Sequence, residues 1–128
     1  MDKASLRATI LCFSHDQSLL KTRQWMLEQA SYVVLGVMTQ PEFRTQICST
    51  EIHLILLCQT LSEDECTDAA SFVGQYAPTA RCVLLRTGRA RALPAGDLVV
   101  VDLSKGPANF LDTIARMLPA APIQRPSS

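Results

Sequence analysis

The stretch Ile52-His53-Leu54-Ile55-Leu56-Leu57-Cys58 constrains the fold more than any other part of the chain. Its apolar residues run consecutively instead of alternating with polar ones, and Gln59-Thr60-Leu61-Ser62 then breaks the run. That pattern suits a strand covered on both faces, the kind found in parallel sheets with helices above and below. In open sheets of this type, binding and chemistry gather just beyond the carboxyl ends of the strands. Cys58 falls there, so the function turns on what a cysteine can do at that point.

The flanking sequence supplies the rest of such a sheet. Ala8–Phe13 reads as a first buried strand, and Ser14-His15-Asp16-Gln17 has the Ser-x-x-Gln spacing of a capping box. Leu19, Leu20, Met26, Leu27 and Ala30 then recur at helical spacing to about Ser31, with Lys21, Arg23, Gln24 and Glu28 on the polar side. Trp25 falls at the edge of the apolar stripe, in the core or at its rim. Tyr32–Met38 is the second strand. Thr39-Gln40-Pro41-Glu42 is a second capping box, opening a short helix that turns Phe43 and Ile47 inward and ends near Ser49.

After Cys58, Ser62-Glu63-Asp64-Glu65 caps a third helix with an acidic first turn. Cys66, Ala69, Ala70 and Val73 form its inner stripe, and Tyr76 extends it before Pro78. Arg81–Thr87 is the fourth strand and Leu98–Leu103 the fifth. Between them, Gly88–Asp97 is too short and broken for more than one helical turn. A last helix places Phe110, Leu111, Ile114 and Leu118 on one face.

Strands alternating with helices imply a parallel sheet with right-handed crossovers. The expected architecture is α/β: a single doubly wound five-stranded parallel sheet, flavodoxin-like in its order 2-1-3-4-5, with a shortened or missing fourth helix. Residues 1–118 form one domain, and residues 119–128 form a Pro/Ala/Ser tail expected to be disordered.

Composition narrows the function classes. Lys plus Arg equals Asp plus Glu at 12 each, so no net field steers the chain toward nucleic acid or an anionic membrane. No apolar run approaches the ~20 residues of a membrane span, and the first residues lack a signal-peptide core; a cytoplasmic protein is expected. Cysteines 12, 48, 58, 66 and 82 are odd in number and show no Cys-x-x-Cys pair, so neither a zinc site nor a thioredoxin-like motif is indicated. Cys12 and Cys82 lie in strand patterns where a free cysteine acts as a small hydrophobe. His53 opens a strand and carries no functional signal.

The layout resembles the receiver domains of two-component response regulators (CheY-like) over roughly residues 8–118. The resemblance rests on Ile-Leu-Cys-Phe before a polar triplet, Leu-Leu opening the first helix, the buried strand to Cys58, Thr87 ending the fourth strand, and Lys105 after the fifth. In that family, acidic residues after the first strand hold magnesium, and an aspartate ending the third strand accepts a phosphoryl group. A Ser/Thr ends the fourth strand and a lysine follows the fifth, roles that map onto Thr87 and Lys105.

Here Ser14 and His15 stand where the acidic pair belongs, only Asp16 remains, and Asp16 is free to cap the first helix instead. Cys58 stands at the acceptor position. Magnesium favours hard oxygen ligands anchored by carboxylates, so Ser14, His15, Asp16, Cys58, Thr87 and Lys105 make up a degenerate acceptor pocket. No metal and no cofactor are expected, and no enzyme activity. Lys105 either neutralises Asp16 or lies in solvent.

The resemblance implies an atypical receiver in bacterial signal transduction, acting as a phosphorylation-independent interaction module. Its partner would be another signalling protein, a kinase or an output protein, with homodimerisation left open. Arg86, Arg89 and Arg91 are the candidate docking residues for an acidic or phosphorylated partner. Two alternatives involve Cys58: a thiol sensor in which His15 lowers its pKa, and a phosphocysteine carrier. No Gly-rich anion-binding loop follows Cys58, which weighs against the carrier.

Overall fold

In this computed structural model, residues 8–86 and 99–118 are described. The chain runs β1 (Thr9–Phe13), α1 (Gln17–Gln29), β2 (Val33–Val37), α2 (Gln40–Ser49), β3 (Leu54–Leu57), α3 (Glu63–Tyr76), β4 (Arg81–Arg86), β5 (Val99–Asp102), a 3-10 turn (Leu103–Lys105) and α4 (Pro107–Met117). The five strands are all parallel in the order β2-β1-β3-β4-β5, as the apolar runs predicted. The fourth-helix expectation for 88–97 and the tail at 119–128 lie outside the described residues.

Side-chain alternation along the strands builds two cores. Ile10, Cys12, Leu54, Leu56, Cys58, Val83 and Leu85 face one way and pack against Leu20 and Leu27 of α1 and Phe110 and Ile114 of α4. Leu11, Phe13, Ile55, Leu57 and Leu84 face the other way, toward Phe43 and Ile47 of α2 and Cys66, Ala69 and Val73 of α3. Every residue of β3 is buried, because β3 lies between β1 and β4 with a helical layer on each side.

Local chemistry sets the helix ends. The capping box of α3 forms as expected: Ser62 Oγ accepts the Glu65 N–H, and Glu65 Oε1 accepts the Ser62 N–H. The other two expected boxes form differently. The N-cap of α1 is Asp16, whose carboxylate accepts the Leu19 N–H, and Ser14 lies outside the helix. At α2, Thr39 caps Glu42, but the Glu42 carboxylate reaches past Thr39 to the Met38 N–H.

The carboxyl end of α1 closes in a Schellman motif. The Tyr32 N–H reaches the Leu27 carbonyl and the Ser31 N–H reaches that of Glu28, with Ser31 at φ 75°. Before α4, Gly106 takes φ 96° and hands the chain to Pro107 at the helix start.

Three side chains depart from their expected places. Trp25 is 62% exposed and Tyr76 54% exposed, so neither joins the core. Tyr76 is the last residue of α3, and its ring packs tilted against Phe72 with centroids 4.5 Å apart. Arg23, expected on the polar side of α1, is buried. It follows Leu20 by three residues and precedes Leu27 by four, which puts it on the inner stripe.

Candidate functional site

The carboxyl ends of β1 and β3 lie side by side, and the chain beyond them stays tied to the sheet. The Ser14 N–H donates to the Val37 carbonyl, and the Cys58 N–H donates to that of Phe13. Both side chains are therefore held at the rim of the sheet, where the sequence placed them. Both are also fully buried.

The polar groups in the first loop are committed to one another. Ser14 Oγ accepts the Asp16 N–H and lies 3.1 Å from Thr60 Oγ1. Thr60 Oγ1 in turn accepts the His15 N–H at 3.0 Å. Thr60 therefore links the loop after β1 to the loop after β3, a role the sequence did not announce.

His15 does not point at Cys58. Its Nδ1 lies 3.0 Å from the Met38 carbonyl and its Nε2 lies 2.7 Å from Glu65 Oε2. A carbonyl and a carboxylate both only accept, so the ring satisfies both contacts when each nitrogen carries a proton. The Glu65 hydrogen bond accordingly raises the His15 pKa above its ordinary value; burial opposes this, and the Met38 carbonyl supports it. Glu65 is held below the usual carboxylate value, first by the Ser62 N–H and then by His15.

Cys58 has different neighbours. Its sulfur lies 3.7 Å from Cys12 Sγ and 3.7 Å from Nη1 of Arg23. Its contact with the Cys12 thiol holds the Cys58 thiol below its ordinary value; burial opposes this, and the Arg23 charge and Ser14 hydroxyl assist. Cys12 is pushed up by the same contact and by its own burial. The cation that tunes Cys58 is therefore Arg23, not His15. Cys12 is fully buried in the core, as expected of a small hydrophobe, with its sulfur against that of Cys58.

The remaining expected residues are dispersed or outside the described range. Lys105 ends the 3-10 turn, is exposed, and has no ion-pair partner among the described residues. That is the solvent alternative. Arg86 ends β4 half-buried, opposite Asp102 in register. Thr87, Arg89 and Arg91 lie outside the described residues. His53 serves the sheet itself, since its Nδ1 accepts the Thr9 N–H at 2.9 Å where the β1–β3 pairing starts.

No family model and no curated protein matches this chain. Solved structures do. A CheY-like response regulator receiver domain from Methanospirillum hungatei JF-1 superposes with a TM-score of 0.71 at 20% identity, covering 86% of this chain and 92% of that one. The fold is that of a response regulator receiver domain. A response regulator receiver protein from Sinorhizobium medicae WSM419 gives 0.73 at 14% identity, covering 87% and 94% of the two chains. A putative pilus assembly-related protein from Burkholderia pseudomallei K96243 gives 0.69 at 18% identity over 94% of both.

A receiver fold raises the question of magnesium, and the residues present do not suit it. Just beyond β3, Cys58 offers a buried sulfur and no carboxylate. Asp16 spends one carboxylate oxygen on the helix cap, and the buried Ser14 hydroxyl is bonded within the loop. Among the described residues no three His, Cys, Asp or Glu side chains converge as a metal cluster. Among them, too, no helix is long and apolar enough to cross a membrane.

Proposed function

We propose that this chain is a non-enzymatic module of bacterial signal transduction that keeps the receiver fold and works without accepting a phosphoryl group. The observation that carries this reading is the state of Cys58. The side chain at the acceptor position is wholly buried, and its sulfur is engaged by Cys12 and Arg23. Phosphoryl transfer needs a nucleophile open to in-line approach and cationic donors around the transferring group. A sulfur with no exposed surface lacks that open approach, which also weighs against a phosphocysteine carrier.

A module without a phosphorylation switch presents its binding surface constitutively. Its partner is another signalling protein, a kinase or an output protein in the cytoplasm. The docking region we assign is the basic segment of Arg86, Arg89 and Arg91 with the outer face of α4, engaging an acidic or phosphorylated surface. The chain carries no excess charge overall, so the arginines are a local feature and not part of a general basic field. The test is affinity for the cognate partner with and without acetyl phosphate and magnesium. Equal affinities are expected, and tighter or weaker binding after phosphodonor treatment would contradict the proposal.

A further inference from the structure

Arg23 is an unusual neighbour for a core sulfur. Its side chain is 7% exposed, and among the described residues no carboxylate pairs with it. A buried guanidinium is costly unless an anion or several acceptors compensate it. The hydrogen-bond partner it has is Cys58 Sγ, at 3.7 Å. The compensation this arrangement favours is a thiolate on Cys58, whose sulfur also lies 3.7 Å from Cys12 Sγ.

The second thiol is correctly placed on the sheet. Cys12 of β1 pairs in register with Leu56, two residues before Cys58, so both sulfurs project from the same face. Arg23 also has a side toward the outside. Together with Leu19, Met26, Leu103 and Phe110 it lines a cleft of about 170 Å³ between α1 and α4. Arg23 is therefore shared between this cleft and the sulfur pair.

We propose that Cys58 and Cys12 form a peroxide-responsive dithiol, with Arg23 positioning and stabilising the Cys58 thiolate. This goes beyond the interaction-module reading and stands without it. The Cys58 thiolate attacks one oxygen of hydrogen peroxide, the O–O bond breaks, and the departing hydroxide takes a proton to leave as water. Cys58 is then a sulfenic acid. Cys12 sulfur attacks the Cys58 sulfur and displaces the hydroxyl, which leaves with the Cys12 proton as a second water. The two thiols lose two electrons to the peroxide and gain one disulfide. Cys58 lies two residues beyond Leu56, the register partner of Cys12, so closing the sulfurs from 3.7 Å to a bond of about 2.05 Å takes side-chain rotation together with a backbone shift at the end of β3.

Three other cysteines serve as internal references. Cys48 is exposed, whereas burial pushes Cys66 up to about 11 and Cys82 up to about 12. The full chain is treated with hydrogen peroxide under native conditions, quenched, denatured and alkylated, and its peptides are weighed. The expected product is a Cys12–Cys58 cross-linked peptide lighter by two hydrogens, formed at least about tenfold faster than any oxidation of Cys66 or Cys82.

In Cys12→Ser, reaction stops at a Cys58 sulfenic acid that a 1,3-dione captures. Arg23→Gln moves the Cys58 thiolate titration upward and slows the reaction about tenfold, and Arg23→Lys restores most of both. Oxidation confined to Cys48, or a cross-link that forms only in denaturant, overturns the proposal on the wild-type protein alone. An Arg23→Gln variant that folds and oxidises at the wild-type rate removes Arg23 from it.

Discussion

Nε2 of His15 lies 2.7 Å from Oε2 of Glu65, tying the loop after β1 to the first turn of α3. Both side chains are partly exposed, at 41% and 31%, so the pair is worth about 0.5–1 kcal/mol after solvent screening. The raised His15 value places its contribution below the unfolded value of about 6.5, with loss as pH rises through the higher folded value. The lowered Glu65 value places its contribution above about 4.3, with loss as pH falls through the lower folded value. His15→Gln should therefore cost stability between about pH 5 and 6.5 and little at about pH 9. Denaturant titrations across that range check this, and a penalty independent of pH would contradict it.

Ser31 holds a left-handed conformation at the end of α1, with φ 75° and its N–H on the Glu28 carbonyl. A side chain at that position costs about 1 kcal/mol relative to glycine, and the added freedom of glycine in the unfolded chain offsets part of it. Ser31→Gly should raise stability by about 0.5 kcal/mol, read as an upward shift in the denaturant midpoint at unchanged slope. A lower midpoint would show that the Schellman geometry is not what limits this turn.

The sheet was legible because consecutive apolar runs have few alternatives. Leu54–Leu57 can be satisfied only between two helical layers, and its neighbours follow from the alternation of strands and helices. The site was half legible. Cys58 and Ser14 are where the layout put them, but their environment depends on contacts between residues far apart in sequence. Charge alone puts Arg23 on the polar side, although its spacing from Leu20 and Leu27 places it on the inner stripe. Thr60 carried no signal, since a hydroxyl in a polar loop becomes informative only when Ser14 and His15 come within reach. Tyr76 kept the helical spacing but fell on the last turn, where the helix no longer covers the sheet.

Magnesium should not bind at this site in the low millimolar range, because Cys58 and not a carboxylate follows β3, and Asp16 serves α1. Isothermal calorimetry with the full chain should give only dilution heats. A saturable isotherm, abolished in Asp16→Asn, would contradict the donor-set argument.

Replacing Arg89 and Arg91 together with alanine should slow partner association several-fold and flatten its salt dependence, with dissociation less affected. Association kinetics at two ionic strengths, for wild type and the double variant, make the comparison. Equal rates and equal salt slopes would take this segment out of the docking surface.

The central claim is that a receiver fold here operates without phosphoryl transfer, and the intact mass of the protein tests it most directly. After incubation with acetyl phosphate and magnesium, the full chain should keep its mass, since Cys58 is buried against Cys12 and Arg23. A phosphate-sized increase that disappears in Cys58→Ser would contradict the account.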